Sequence, residues 1–455
     1  MRGLLPGLLL AGCMQPVSGT LECRDAPWPT SDRLFGTDSG ARFGYAATAI
    51  PDISGDGLPD LVVGSPAFEG FSGRVTVLHS PFVGGAGVAV GTLDHDDVVL
   101  GVKNVPGLTG FGSAVATVEP GGCVAISAPF ATRGDRSALG WVGTFDPATV
   151  TAGEPLSWWA GARSGQRLGR EMAPFGASLA VGAPQDNLRT LQTGAVYVVA
   201  DPCGAGRPDR DIQAEPTLFG VRARERTGHR LHAATLSSSG EPEAPVITVG
   251  GGTALILRDR TPEGTTQRVP KNRSPTWLSL LPSDELDVEA DLDAVIHPDL
   301  DGDGISDAVV RSSTGELSVF LGPLVPGTLA QAALVLDTDL PLGALALGPG
   351  PGAGSKRGQT PDIWLGVVAP GDTKILRISA SDLDGSTATV RGTCYQRSVW
   401  GEVGDRLVEL GDLDGDGALD LGIPAYKANN ESTGAGVGEP GEATGLLELV
   451  LSGQW

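Results

Sequence analysis

Read for apolar and polar positions alone, the chain alternates short runs rich in Val, Leu and Ile with turns that carry glycine and proline. The runs "DLVVGSP", "VAISAP" and "LAVGAP" are each followed by a second run of "GRVTVL" type, namely Gly73 to Leu78, Gly140 to Phe145 and Gly194 to Val199. Runs this short, bounded by turn residues, predict strands rather than helices. The pattern repeats about every sixty residues, enough for one small antiparallel sheet per repeat.

Seven copies are legible. Phe43-Gly44, Phe111-Gly112 and Leu168-Gly169 open the first three, and Gly228 to Leu231 opens a weaker fourth. The fifth is marked by Ala308 to Val310 and Gly315 to Phe320, and the sixth by Asp362 to Pro370 and Lys374 to Ile378. Val403-Gly404 opens the seventh, which ends in Gly445 to Leu451. One such sheet cannot bury both of its faces alone, whereas seven packed around an axis can. An apolar pair and a glycine precede most starts, as in Trp159-Ala160-Gly161, Leu218-Phe219-Gly220 and Val399-Trp400-Gly401. The same signature, Leu34-Phe35-Gly36, stands before the first start, while the last repeat lacks it. Residues around Arg33 to Gly36 are therefore expected to complete the seventh sheet and close the ring, which removes an exposed edge.

Three loops break the apolar pattern: "DISGDGLPD", "DLDGDGISD" and "DLDGDGALD". Oxygen-bearing side chains fall at positions 1, 3, 5 and 9 of each. They are Asp52, Ser54, Asp56 and Asp60; Asp299, Asp301, Asp303 and Asp307; Asp412, Asp414, Asp416 and Asp420. Hard oxygen ligands at this spacing suit Ca²⁺, with the position-7 carbonyls of Leu58, Ile305 and Ala418 as further ligands. Glycines at positions 4 and 6 let the backbone curl around an ion. An EF-hand would need a glutamate at position 12, where Val63, Val310 and Ile423 stand instead. Isolated Asp-Gly turns need no metal. Three loops at matching repeat positions, with like charges crowded together, point to about three Ca²⁺ ions with a structural role.

The order of a Phe-Gly turn, an acidic loop, a "VGSP" or "VGAP" run and a "GxVxV" strand resembles the FG-GAP repeat of integrin α-subunit propellers and their bacterial relatives. The resemblance implies an all-β, seven-bladed β-propeller over 32–455. It also implies calcium hairpins on one rim and a ligand met by loops on the other.

Composition narrows the function. Acidic residues outnumber basic ones 54 to 32, for a formal charge of −22, which disfavours nucleic acid and anionic lipid as partners. The opening "MRGLLPGLLLAGCMQ" resembles a bacterial lipoprotein signal, so residues 1–12 are expected to be a signal peptide, with lipid on Cys13 and a linker over 13–31. The expected location is the cell envelope, with the membrane touched only through that anchor. The remaining cysteines, Cys23, Cys123, Cys203 and Cys394, permit two disulfides in any of three pairings. His229 and His232 have no acidic or cysteine neighbour in sequence and read as surface or packing residues. The tripeptide Arg133 to Asp135 reads as a surface loop, and "DHDD" at Asp94 to Asp97 as a solvated turn. No catalytic fingerprint such as GxSxG or HExxH occurs. The expected role is non-catalytic binding of a protein or glycan, the alternatives being an enzyme with its site in the loops or a pure scaffold.

Overall fold

A computed structural model describes residues 16–28, 31–82, 88–89, 107–118, 122–188, 190–204, 207–212, 218–220, 223–233, 236–237, 242–243, 246–250, 253–257, 267–268, 277–280, 292–312, 315–324, 329–330, 332–350, 360–369, 372–384, 388–396, 403–426 and 444–452. Cys13 and the Asp94 to Asp97 segment lie outside these residues. The fold is all-β, and helix among the described residues is confined to segments of six residues or fewer, Phe68–Phe71, Pro147–Ala152 and Ala380–Asp382.

Each predicted repeat is an antiparallel meander. The first runs Ala46–Ile50, Asp60–Ser65, Arg74–Leu78. The second runs Val115–Val118, Cys123–Ala128, Trp141–Phe145, Ser157–Ala160. The third runs Met172–Phe175, Ser178–Ala183, Ala195–Ala200, Leu218–Phe219. The faint fourth and sixth repeats each hold four strands: Arg230–Ala233, Val246–Gly250, Thr253–Leu257, Trp277–Leu280, and Leu342–Gly348, Asp362–Ala369, Asp372–Ile378, Thr389–Gln396. The fifth lies between them as Leu292–His297, Asp307–Ser312, Glu316–Phe320, Leu334–Asp337. The seventh is Val408–Gly411, Asp420–Pro424, Leu446–Val450.

The chain's early segment completes that last sheet. Asp32–Phe35 pairs antiparallel with Leu446–Val450, Leu34 opposite Leu447. Buried Glu448 accepts hydrogen bonds from Trp28 Nε1 (2.9 Å) and Arg33 Nε (3.4 Å), which fixes the register. The first strands of successive meanders lie side by side in chain order, the seventh against the first.

Residues 13–31, expected as a linker, contain the ten-residue strand Val17–Ala26. It lies parallel between Leu334–Asp337 and Thr389–Gln396 and joins the fifth and sixth meanders into one nine-stranded sheet. Leu21 is buried and Glu22 and Arg24 are exposed, a period-2 pattern with few apolar positions to announce it. The disulfide Cys23–Cys394 ties this strand to its neighbour, and Cys123–Cys203 joins the second and third meanders.

Burial on both faces explains why the central strands read as unbroken apolar runs. In Asp60–Ser65, Leu61 and Val63 pack against Leu447 and Leu449 of the seventh meander. Val62 turns the other way, into the core shared with Phe111 and Trp141 of the second. The glycines of the motif meet between sheets. A Cβ on Gly64 would lie 2.1 Å from the carbonyl oxygen of Gly112, which itself has φ +83°, so neither position admits a side chain.

Candidate metal centres and a polar cavity

The three acidic loops connect the first and second strands of meanders one, five and seven, with Ile50 paired to Asp60, His297 to Asp307 and Gly411 to Asp420. Val63, Val310 and Ile423 are buried in the strands that follow, so no helix flanks the loops.

All three loops fold by one hydrogen-bond scheme. The position-1 carboxylate accepts from the amides at positions 4 and 6: Gly55 and Gly57 to Asp52 (2.6 and 2.8 Å), Gly302 and Gly304 to Asp299 (2.7 and 3.0 Å), Gly415 and Gly417 to Asp412 (2.7 and 2.8 Å). Those amides hold Asp52 below the usual carboxylate range. The position-5 carboxylates of Asp56, Asp303 and Asp416 each accept from the position-7 amide at 2.8 Å. The position-9 carboxylates of Asp60, Asp307 and Asp420 are fully buried and clamp the loop from both sides. One oxygen accepts from within the loop, at Ile53, Leu300 or Leu413. The other accepts from the chain beyond the third strand, at Ser80 (2.8 Å), Gly322 (2.7 Å) or Ser452 (2.7 Å).

These three last residues escaped the sequence reading. Each stands two positions after the end of a third strand, at Leu78, Phe320 and Val450, and that shared offset was the available signal. Ser80 contributes most: its hydroxyl lies 3.0 Å from Asp56 Oδ2, 3.2 Å from Asp60 Oδ1 and 3.3 Å from the Leu58 carbonyl oxygen.

In the second and third loops, oxygens of the carboxylates at positions 1, 3 and 9 converge: Asp299, Asp301 and Asp307 in one, Asp412, Asp414 and Asp420 in the other, each set within 4.8 Å. Asp303 and Asp416 do not join these groups. The first loop has Ser54 in place of the middle carboxylate, its hydroxyl 3.2 Å from Asp52 Oδ1. Burial, and then the nearby Asp301 and Asp303 charges, push Asp307 up to about 6. Burial and Asp414 push Asp420 up to about 7. Asp416 Oδ2 is buried without a hydrogen-bond partner. Convergent anionic oxygens, raised carboxyls and an orphaned oxygen fit a hard divalent cation.

A second polar region lines a cavity of about 230 Å³ between the first strands of the meanders. Arg406 donates to Glu171 (2.7 Å) and lies over the Tyr45 ring, and Arg170 donates to the Tyr45 hydroxyl (2.8 Å). Although burial raises its pKa, Glu171 is brought below its ordinary value by Arg406, Arg230 and Arg170. His232, expected to lack an acidic partner, is 2.7 Å from Asp293, a residue on the next meander that the chain order hid. Burial opposes the charged imidazole, but Asp293 outweighs it and the His232 pKa is raised. Asp293 and Glu409 also accept the amides of Leu345 (3.0 Å) and Leu347 (2.8 Å), groups on the inner edge of the sixth meander. The Arg133 to Asp135 tripeptide is exposed, and Trp141 and Trp364 are buried.

The segment 43–78, which holds the first meander and its acidic loop, matches the FG-GAP repeat family. Among solved structures, the chain is similar to BBS1N in complex with ARL6DN, soaked with lead: 10% identity over 94% of this chain and 97% of that chain, TM-score 0.44. The mercury-soaked form of the same complex is similar at 9% identity, 92% and 96% coverage and TM-score 0.42. No curated protein gives a significant match.

Proposed function

We propose that the protein is a seven-bladed, calcium-stabilised β-propeller of FG-GAP type that binds a protein or glycan at the bacterial cell envelope without catalysing a reaction. In this reading each meander is a blade, Asp32–Phe35 closes the ring, and lipid on Cys13 holds the molecule to a membrane. The observation that carries it is the identical hydrogen-bond scheme of three acidic loops at equivalent places in the repeat. Such a scheme collects negative charge at fixed points and leaves Asp416 Oδ2 without a donor.

The residues that would hold Ca²⁺ are Asp52, Ser54, Asp56 and Asp60, with their counterparts in the other two loops and the carbonyls of Leu58, Ile305 and Ala418. The ion would supply positive charge alone, and three would bring six charges against the formal −22, leaving −16. The chain's own residues set the shape: glycines at positions 4 and 6 turn the loop, and the position-9 carboxylate fastens it to the third strand. Calorimetry on metal-stripped protein tests the metal, with heat of Ca²⁺ uptake expected and its absence refuting the sites. A pull-down and glycan array with the mature protein test ligand binding. Turnover on a hydrolase panel would refute the non-catalytic part.

A further inference from the structure

We propose that the face formed by the Phe-Gly turns docks an acidic polypeptide segment, its carboxylates received by Arg167, Arg226 and Arg230 and its apolar side chains by Phe71, Leu191 and Val368. The proposal rests on the reading of the protein as a ligand binder and names the chemistry of the ligand.

Three observations converge on this face. The first is a recurring arginine. The residue before each of the first four turns takes a left-handed backbone: Arg42 (φ 59°), Gly110 (φ 76°), Arg167 (φ 53°) and Arg226 (φ 52°). Glycine fills this position without strain in the second repeat, so the fold does not explain arginine in three others. No ion pair engages Arg42, Arg167 or Arg226 among the described residues. Arg42 lies against the rings of Phe71 and Tyr426, and Arg167 lies over Phe130 at 5.0 Å. Burial, Arg170 and Arg226 together depress the Arg167 pKa, so these positive charges are close enough to oppose one another.

The second is Arg230, which lines the cavity. Its Nη2 donates to the Asp405 carbonyl at 3.1 Å, but its Nε is buried and has no acceptor. Glu171 and Asp293 already feel its charge, and the unused Nε leaves one donor for an incoming carboxylate oxygen.

The third is apolar exposure. Four large hydrophobic residues are exposed among those described, and three of them, Phe71 (47%), Leu191 (57%) and Val368 (38%), stand at this end of the sheets. Phe71 and Leu191 sit in loops between second and third strands, where the Leu191 carbonyl accepts the Arg224 amide at 2.8 Å. The Val368 amide bonds to Pro341, just before the first strand of its meander. Arginine and aromatic side chains beside exposed aliphatic ones are the composition of protein interfaces. A sugar acid would use the arginines but not the aliphatic patches, which favours a polypeptide.

The test is fluorescence anisotropy in calcium buffer with a labelled glutamate–tyrosine copolymer, against labelled polygalacturonate. Wild type is expected to bind the copolymer, less tightly at high salt. The pair Arg167→Glu and Arg226→Glu should weaken it about tenfold or more. Leu191→Ser, exposed and harmless to folding, should weaken it as well. The pair Arg24→Glu and Arg391→Glu makes the same change in net charge on the neighbouring strands Val17–Ala26 and Thr389–Gln396, outside the Phe-Gly turns, and should leave binding unaltered. Equal loss in both charge-reversal pairs would reduce the effect to net charge and overturn the proposal. Polygalacturonate bound in place of the copolymer would also overturn it, while leaving the ligand-binding reading intact. Binding to neither probe overturns the acidic class, and only an empty pull-down besides would overturn ligand binding itself.

Discussion

Asp420 shows what metal-free loops cost. Its carboxyl is buried between the amides of Leu413 and Ser452 with Asp414 nearby, and its pKa stands at about 7 against 3.8 for the free group. A folded-state pKa above the unfolded one means that the folded protein holds the proton more tightly between those values. Stability of the metal-free protein therefore falls as pH rises from about 4 to about 7. Calcium needs the ionised carboxylate, so it should recover the loss. The rise in Tm on adding calcium is expected to be larger at pH 8 than at pH 5, read by thermal scans with calcium and with chelator. An equal rise at both would show that Asp420 does not face the ion. Asp416→Ala tests the neighbouring carboxylate: its Tm should match wild type in chelator and fall below it in calcium. At calcium a hundred times Kd, loss of one site forfeits about 2.7 kcal/mol.

At the scale of strands, much of the architecture was legible because sheets buried on both faces leave dense apolar runs. Val62 and Val63 pack into different cores, so the run around them has no polar gap. The strand that completes the last sheet was legible for a related reason: Leu34 and Phe35 repeat a signature found ahead of other repeats. Val17–Ala26 was not, because it offers few apolar residues and inserts parallel, a pairing no local pattern announces. The converging carboxylates at positions 1, 3 and 9 of the second and third acidic loops were readable from spacing, whereas Ser80, Gly322 and Ser452 reach the three loops from more than a strand away. The His232–Asp293 pair was hidden for the same reason, since its members lie on different meanders. Leu34 is 3% exposed against Leu447, so Leu34→Asp buries an unpaired charge against the last sheet. It should destabilise by about 3 kcal/mol or more and free the edge of Leu446–Val450 to pair between molecules. Denaturant melts and light scattering would check this, and an unchanged midpoint would mean that the pairing contributes little.

For the molecule as a whole, Cys23–Cys394 spans 371 residues of sequence and fastens Val17–Ala26 between two meanders. Replacing both cysteines with serine should cost about 2–5 kcal/mol in denaturant melts. Removing Cys123–Cys203, which spans 80 residues, should cost somewhat less on the entropic account, since closure entropy grows slowly with loop length. The charge distribution is just as extended. The three acidic loops stand at one end of the sheets, and Arg42, Arg167 and Arg226 stand at the other. Metal-free protein at low ionic strength should be less stable than at high, because salt screens the crowded carboxylates, and calcium should abolish most of that difference. A salt series of thermal scans in chelator and in calcium would show it.

The pairing of Asp32–Phe35 with Leu446–Val450 sets an order on assembly. A ribosome makes the first of these segments long before the second, so every unfinished chain carries a raw strand edge that nothing in it can yet satisfy. The last sheet becomes whole only when the newest hairpin meets Asp32–Phe35, and the growing protein must be kept from its neighbours until that moment.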